Sequence, residues 1–292
     1  MEKSFKNYAT LILLAIIWGS SFILMKRGLE VYSYTQVAAL RLLIAAISLF
    51  PFVFIALKKV KRKQWLPLFI SGVIGNGFPA FLFTKAQTQL DSGFTGILNS
   101  LTPLFTLLLG VFFFASKPNR TNRIGIFIGL VGAVYLSLSN LQTDIIINSY
   151  VFYVVLATLF YAISINVIKR YLNELDAIHI CALAFLFVGP PMAIYIFNTD
   201  FIYLAQSTAG FEALIYIIIL AVIGTSFAVA LFNHLLKQSS AIFASSVTYL
   251  IPIVAIAWGI FDGEHILQQH LIGTAIILAG VYLVNKKNTI PK

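Results

Sequence analysis

Chemistry in this chain has to come from few residues, and most of them are uncharged. The ten acidic residues are Glu2, Glu30, Asp91, Asp144, Glu174, Asp176, Asp200, Glu212, Asp262 and Glu264, and each stands at the end of an apolar run or between two. No carboxylate is therefore placed to bind a proton or a sodium ion inside hydrocarbon, where a charge is costly and tends to be functional. The four histidines, His179, His234, His265 and His270, are scattered and show no HExxH spacing. No glycine-rich loop closes on Lys-Ser or Lys-Thr, so nucleotide-driven work is not expected either. Neither a metal nor a cofactor is expected, and the chain does not read as an enzyme. What remains is reversible recognition by hydrogen bonds, rings and a few cations.

The polar residues deep in the apolar runs are the first candidates for that recognition: Asn76, Asn99, Thr102, Ser164, Asn166, Thr248 and Tyr249. Each either lines a polar cavity or makes a hydrogen bond between helices. Trp18 and Tyr161 stand near the middle of their runs rather than in an interfacial belt, and small hydroxyl residues follow Trp18 at Ser20 and Ser21. The expected binding set is Trp18, Ser21, Asn76, Asn99, Tyr161, Asn166 and Tyr249. Asn99 and Thr248 each precede a proline by four residues, Pro103 and Pro252. A proline inside a helix frees a carbonyl one turn back and kinks the rod, and such exposed backbone is tolerated in a membrane only where it lines a cavity or is buried in protein. Among charged groups, Lys26, Arg41 and His234 are candidates. Arg41 could face an anionic group of a ligand; alternatively Arg41 and Lys26 snorkel to the headgroups. His234 is either a gate or proton site or an interfacial histidine.

The elements that position these residues follow from composition. The chain has 292 residues, 60% hydrophobic and 10% charged, with a mean hydropathy of +0.93. Soluble proteins carry roughly 25% charged residues, so this is an integral membrane protein made of helices. The apolar runs lack the alternation of a transmembrane barrel. Ten spans are expected, near 8–28, 35–57, 65–85, 93–115, 122–140, 149–169, 176–197, 212–233, 241–262 and 268–285, with the longest connection around 198–211. The net charge of +10 is spread over short loops, so nucleic acid is not an expected partner; the lipid bilayer and a small-molecule substrate are. Placing the N-terminus in the cytoplasm puts 16 of the 20 basic residues on that side, and the even span count returns the C-terminus there. The single cysteine, Cys181, reads as a packed core thiol.

An internal repeat organises the whole. Residues 74–112 align without a gap to residues 223–261, 149 positions on, with 11 of 39 identical, including Gly75/Gly224, Leu101/Leu250, Pro103/Pro252 and Gly110/Gly259. A weaker echo at an offset of 143 pairs Trp18 with Tyr161. The repeat divides the chain into units 8–140 and 149–285. Five spans per unit is an odd number, so the second unit enters the membrane from the opposite face. Two inverted five-helix units with a site between them is the architecture of secondary transporters. Gly125 and Gly132, then Gly273 and Gly280, predict close helix packing in the fifth and tenth spans.

Together these residues resemble the drug/metabolite transporter superfamily, and within it the permeases with two EamA domains. The resemblance rests on Trp18-Gly19-Ser20-Ser21, Arg41, Pro103-Leu104, Pro252 with Trp258-Gly259, and Gly263-Glu264 before the last span. Ala115-Ser116-Lys117-Pro118 departs from it, standing where the family often has a first Gly-Glu pair. The resemblance implies an inner-membrane carrier, monomer or homodimer, that exports or facilitates passage of a small metabolite such as an amino acid. Spans 1, 3, 4, 6, 8 and 9 would surround a central cavity, with spans 5 and 10 supporting the interface between halves. Proton-coupled efflux of quaternary amines is the runner-up, weakened by the missing glutamate in the first span. A membrane-embedded lipid-modifying enzyme is the alternative of another class, and it lacks the clustered acids or histidines it would need.

Overall fold

The computed structural model describes residues 2–90, 92–139, 149–261 and 268–285, and among them every regular element is helical. The gaps leave Gly263-Glu264 and His265 outside the described residues. We label the long rods α1 (Glu2–Leu29), α2 (Tyr34–Leu57), α3 (Arg62–Gln87), α4 (Ser92–Leu98, Asn99–Leu101 and Thr102–Phe113 in succession), α5 (Arg120–Ser139), α6 (Tyr150–Tyr171), α7 (Ala177–Phe197), α8 (Thr208–Gln238), α9 (Ala241–Ser245, then Val247–Phe261) and α10 (Gln268–Asn285). Six of these among the described residues, α1 to α3 and α6 to α8, are long and apolar enough to cross a bilayer. Shorter apolar stretches lie at Asn99–Phe113 in α4, Ala241–Val254 in α9 and Ala275–Val284 in α10. The longest connection, around 198–211, contains a short helix, Phe201–Ala205, and Tyr32 Oη anchors the segment by donating to the Gly210 carbonyl at 2.8 Å.

Local chemistry starts and stops the rods where the polar residues allow. Ser33 caps α2 through a capping box in which Gln36 N–H donates to Ser33 Oγ and Gln36 Oε1 accepts from Ser33 N–H, satisfying two orphan donors. Ser207 and Ser240 cap α8 and α9 with a single bond each, accepting from Gly210 N–H and Phe243 N–H. At the end of α4, Ser116 N–H donates to the Gly110 carbonyl at 2.8 Å, closing the chain over Ala115, which is left-handed at φ 52°. That position normally falls to glycine, and it is where the sequence departs from the Gly-Glu pattern.

Two rods contain matching irregularities. α3 is π-helical at Ile70–Gly77 and α8 at Val222–Phe227. In α3, Asn76 Nδ2 donates to the Ser71 carbonyl at 2.8 Å; in α8, Thr225 Oγ1 donates to the Leu220 carbonyl at 3.0 Å. Both bonds reach back five residues, and both partners in one rod lie 149 positions from those in the other. π-Bulges of this kind are frequent at functional sites.

Packing brings the rods together in exchange-matched pairs. Gly75 in α3 lies against Ser164 in α6, while Gly224 in α8 lies against Ser21 in α1; a Cβ on Gly224 would sit 2.7 Å from Ser21 Oγ. α5 and α10 run along one another, with Gly125 and Gly280 backbone to backbone as their spacing predicts. Large apolar side chains such as Phe50, Phe54, Phe112, Phe127 and Phe197 face outward, which suits lipid as the surrounding solvent. The molecule is a multi-span membrane protein.

Candidate substrate cavity

A cavity of about 110 Å³ lies where α1, α2, α3, α4, α6, α8 and α9 converge. One water needs roughly 10–15 Å³ on the same measure, so the space suits a small solute. No described side chain of α5 or α10 lines it; α2, which the resemblance did not assign to it, contributes Arg41 and Leu42.

Of the expected binding residues, Trp18, Ser21, Asn76, Asn99 and Tyr161 line this cavity, as does Arg41. Asn166 and Tyr249 are buried beside it rather than in its wall. Asn166 Nδ2 donates to the carbonyls of Thr106 at 3.1 Å and Ala162 at 2.9 Å, tying α6 to α4. Tyr249 Oη donates to the Ile126 carbonyl at 2.9 Å, and its ring lies on Gly129. Lys26 is exposed at the end of α1. His234 is also exposed and pairs with Gln238 at 2.6 Å. Lys85, the repeat mate of His234, sits 4.3 Å over the Tyr34 ring. Pro103 and Pro252 are buried just behind the lining.

The carbonyls that the prolines free are both satisfied. Asn99 O accepts from Thr102 Oγ1 at 2.8 Å within α4, and Thr248 O accepts from Ser100 Oγ at 3.1 Å across from α4 to α9. An unsatisfied carbonyl there would cost about 1–3 kcal/mol, so these hydroxyls make the prolines tenable within the rods.

Thr225, Phe232, Asn233 and Ser245 are among the lining residues outside the sequence-derived candidates. The repeat carries the signal for two of them, since Thr225 stands 149 positions after Asn76 and Phe232 the same distance after Phe83. The aromatic walls obey that correspondence. Trp18 packs on Phe232, ring centroids 5.3 Å apart, and its mate Tyr161 stacks on Phe83 at 5.7 Å. Trp18 Nε1 also donates to the Gly224 carbonyl at 3.1 Å, fixing the indole to the π-helical stretch of α8. Motif residues meet nearby as well, with Trp258 Nε1 donating to Ser20 Oγ at 2.8 Å.

Arg41 supplies the cavity's charge. It is 9% exposed, and its Nε–H donates to Thr225 Oγ1 at 2.6 Å. Thr225 spends its own proton on the Leu220 carbonyl, so its lone pairs are left for the guanidinium. Among the described residues no acidic side chain lines the cavity. The carboxylates between α6 and α7 lie elsewhere: Glu174 pairs with Lys61 at 2.7 Å and Asp176 with Lys59 at 3.4 Å. Hydrogen bonding to those lysines holds both carboxyls below their ordinary range.

The profile of the EamA-like transporter family matches residues 6–138 and again 148–286. The chain belongs to that family. An uncharacterized transporter of Archaeoglobus fulgidus is 27% identical over 285 residues, covering 97% of this chain and 99% of its own. The inner membrane transporter YedA of Escherichia coli, also uncharacterized, is 27% identical over 95% of this chain and 90% of its own. A protein of Salmonella typhimurium named as a probable amino-acid metabolite efflux pump is 23% identical, with 93% and 92% covered. One solved crystal structure superposes with a TM-score of 0.74 over 96% of each chain at 13% identity, a likeness of fold alone. This EamA protein is a membrane transporter of the drug/metabolite type.

Proposed function

We propose that this EamA protein carries a small metabolite, an amino acid or a similar neutral or zwitterionic solute, across the inner membrane by alternating access. In this reading ten spans form two inverted five-helix repeats, 8–140 and 149–285, with both termini cytoplasmic, and rocking of one against the other opens the cavity to each side in turn. The observation that carries it is the composition of the cavity wall, whose opposing sides are repeat mates: Trp18 on Phe232 against Tyr161 on Phe83, and Asn76 against Thr225. A site at the junction of inverted repeats, with irregular helices at its wall, is how secondary transporters expose one site to two faces. The name of the Salmonella relative favours amino-acid metabolites.

The two ends of the cavity differ in a way that fits one state of such a cycle. Lys169 Nζ donates to the carbonyls of Leu236 at 2.8 Å and Ser239 at 2.6 Å, lashing α6 to the α8–α9 turn. Its mate 143 positions earlier, Lys26, is exposed. In the opposite state Lys26 would take the matching carbonyls, those of Gln87 and Leu90, while Lys169 lets go.

The test is uptake by proteoliposomes of amino acids, purines, sugars and quaternary amines, with and without a pH gradient. Flux of an amino acid or a near relative is expected. Absence of flux for every class would sink the reading, and strictly gradient-dependent flux of quaternary amines alone would favour drug efflux.

A further inference from the structure

We propose that the cavity recognises its ligand by a carboxylate held on Arg41, with an apolar body lying between the two ring pairs, and that a ligand ammonium contributes little. This deepens the proposed function and rests on it only in taking the cavity to be a ligand site.

The guanidinium has five N–H donors in a fixed fork. One, on Nε, is committed to Thr225. The four on the terminal nitrogens have no hydrogen-bond partner among the described residues, and Arg41 is part of the cavity's lining. A buried cation is expensive unless paired, and the described residues of the cavity wall include no carboxylate to pair it; Tyr161, the ionisable wall residue that acts electrostatically on it, offers a phenol. The partner must then be brought by the ligand. Two parallel N–H groups match the two oxygens of a carboxylate, which is the geometry at which arginine excels over lysine. Thr225 acts as a positioning residue: bonded from Leu220 on one side and accepting Nε–H on the other, it fixes the plane of the fork relative to the π-helical stretch of α8.

The rest of the wall describes the other end of the ligand. Trp18 with Phe232 and Tyr161 with Phe83 present apolar ring surfaces, beside Phe22, Met25 and Ile251. An ammonium would find only neutral acceptors there and would sit in the same small space as Arg41, so repulsion from the guanidinium opposes it.

Three near-isosteric probes separate these terms on the full chain in nanodiscs: 3-phenylpropionate, 3-phenylpropionamide and 3-phenylpropylammonium, each followed by titration calorimetry. The acid should bind at least about ten-fold more tightly than the amide, as a hydrogen-bonded charge pair out of water implies, with the amine weakest. Arg41→Gln should bring acid and amide to within about two-fold, while Arg41→Lys, which keeps the charge and loses the fork, should fall between. If Arg41→Gln does not insert, the ranking in the unaltered protein decides by itself. An acid that binds no better than its amide, or an acid preference that survives Arg41→Gln, overturns the proposal. Flux of some solute without carboxylate preference would overturn it and leave the transport reading intact; acid-selective binding with no flux of any solute would do the reverse.

Discussion

Trp18 is held at both ends of its ring system, by Phe232 against its face and by the Gly224 carbonyl on Nε1, so its truncation removes both a wall of the cavity and a strut between α1 and α8. Trp18→Ala and Asn99→Ala are each expected to lower flux in proteoliposomes by ten-fold or more while leaving membrane insertion unchanged; full flux in both would remove these residues from the site. Ala115 allows a prediction of stability alone. A left-handed conformation costs a residue with a Cβ about 1–2 kcal/mol, and Ala115 has φ 52° with nothing but a turn to serve. Ala115→Gly should raise the unfolding midpoint in detergent and leave flux unchanged; a lower midpoint would mean the turn is not left-handed. At this scale much of the wall was legible, because a polar residue in a long apolar run is conspicuous. Trp18, Asn76 and Asn99 stand out in that way and do line the cavity. Asn166 and Tyr249 stand out equally and instead spend their polar atoms on carbonyls of neighbouring helices. A sequence cannot separate the two outcomes, since both satisfy the same hydrogen-bonding demand.

Among the elements, Pro103 follows directly on the tightened turn of α4 whereas Pro252 lies inside a continuous helix, and the π-helical stretches of α3 and α8 leave no comparable mark. They depend on side-chain bonds to a carbonyl five residues back, which Asn76 and Thr225 make and which no periodicity encodes. The repeat alone would have tied Thr225 to Asn76. The Lys169 tether belongs to this scale. Lys169→Met removes a cation that bonds to carbonyls of the α8–α9 turn, so a cysteine at Ile168 in that background should react faster with an impermeant maleimide added from the cytoplasmic side; an unchanged rate would show that the lysine holds nothing shut. The α6–α7 connection gives a pH dependence. Glu174 and Asp176 have lowered carboxyl pKa values through Lys61 and Lys59, so their favourable contribution is present above the unfolded carboxylate range, about pH 4, and is lost as the pH falls through their folded values. Being exposed, they act weakly and are screened by salt. Glu174→Gln should therefore unfold with a smaller loss of midpoint between about pH 6 and pH 3 than the parent, and the difference should shrink in high salt; an identical loss would leave the pair without a role in stability.

Over the whole molecule, the class of protein followed from length and hydropathy, since a chain this apolar has no aqueous fold to adopt. The cavity takes lining residues from both halves of the sequence repeat, Asn76 and Thr225 among them. Its charge did not follow, for Arg41 near the start of α2 could equally have snorkelled, and only packing turns it onto Thr225. The proposed cycle requires that one cavity residue meet both aqueous phases. Thr102, buried in the wall, is the place to look, replaced by cysteine in a chain whose native Cys181 has become alanine. Reaction with an impermeant maleimide in oriented vesicles should occur from the outer face and from the cytoplasmic face, with Lys169→Met shifting the balance toward the cytoplasmic one. Labelling from a single face, or from neither, would contradict alternating access through this cavity.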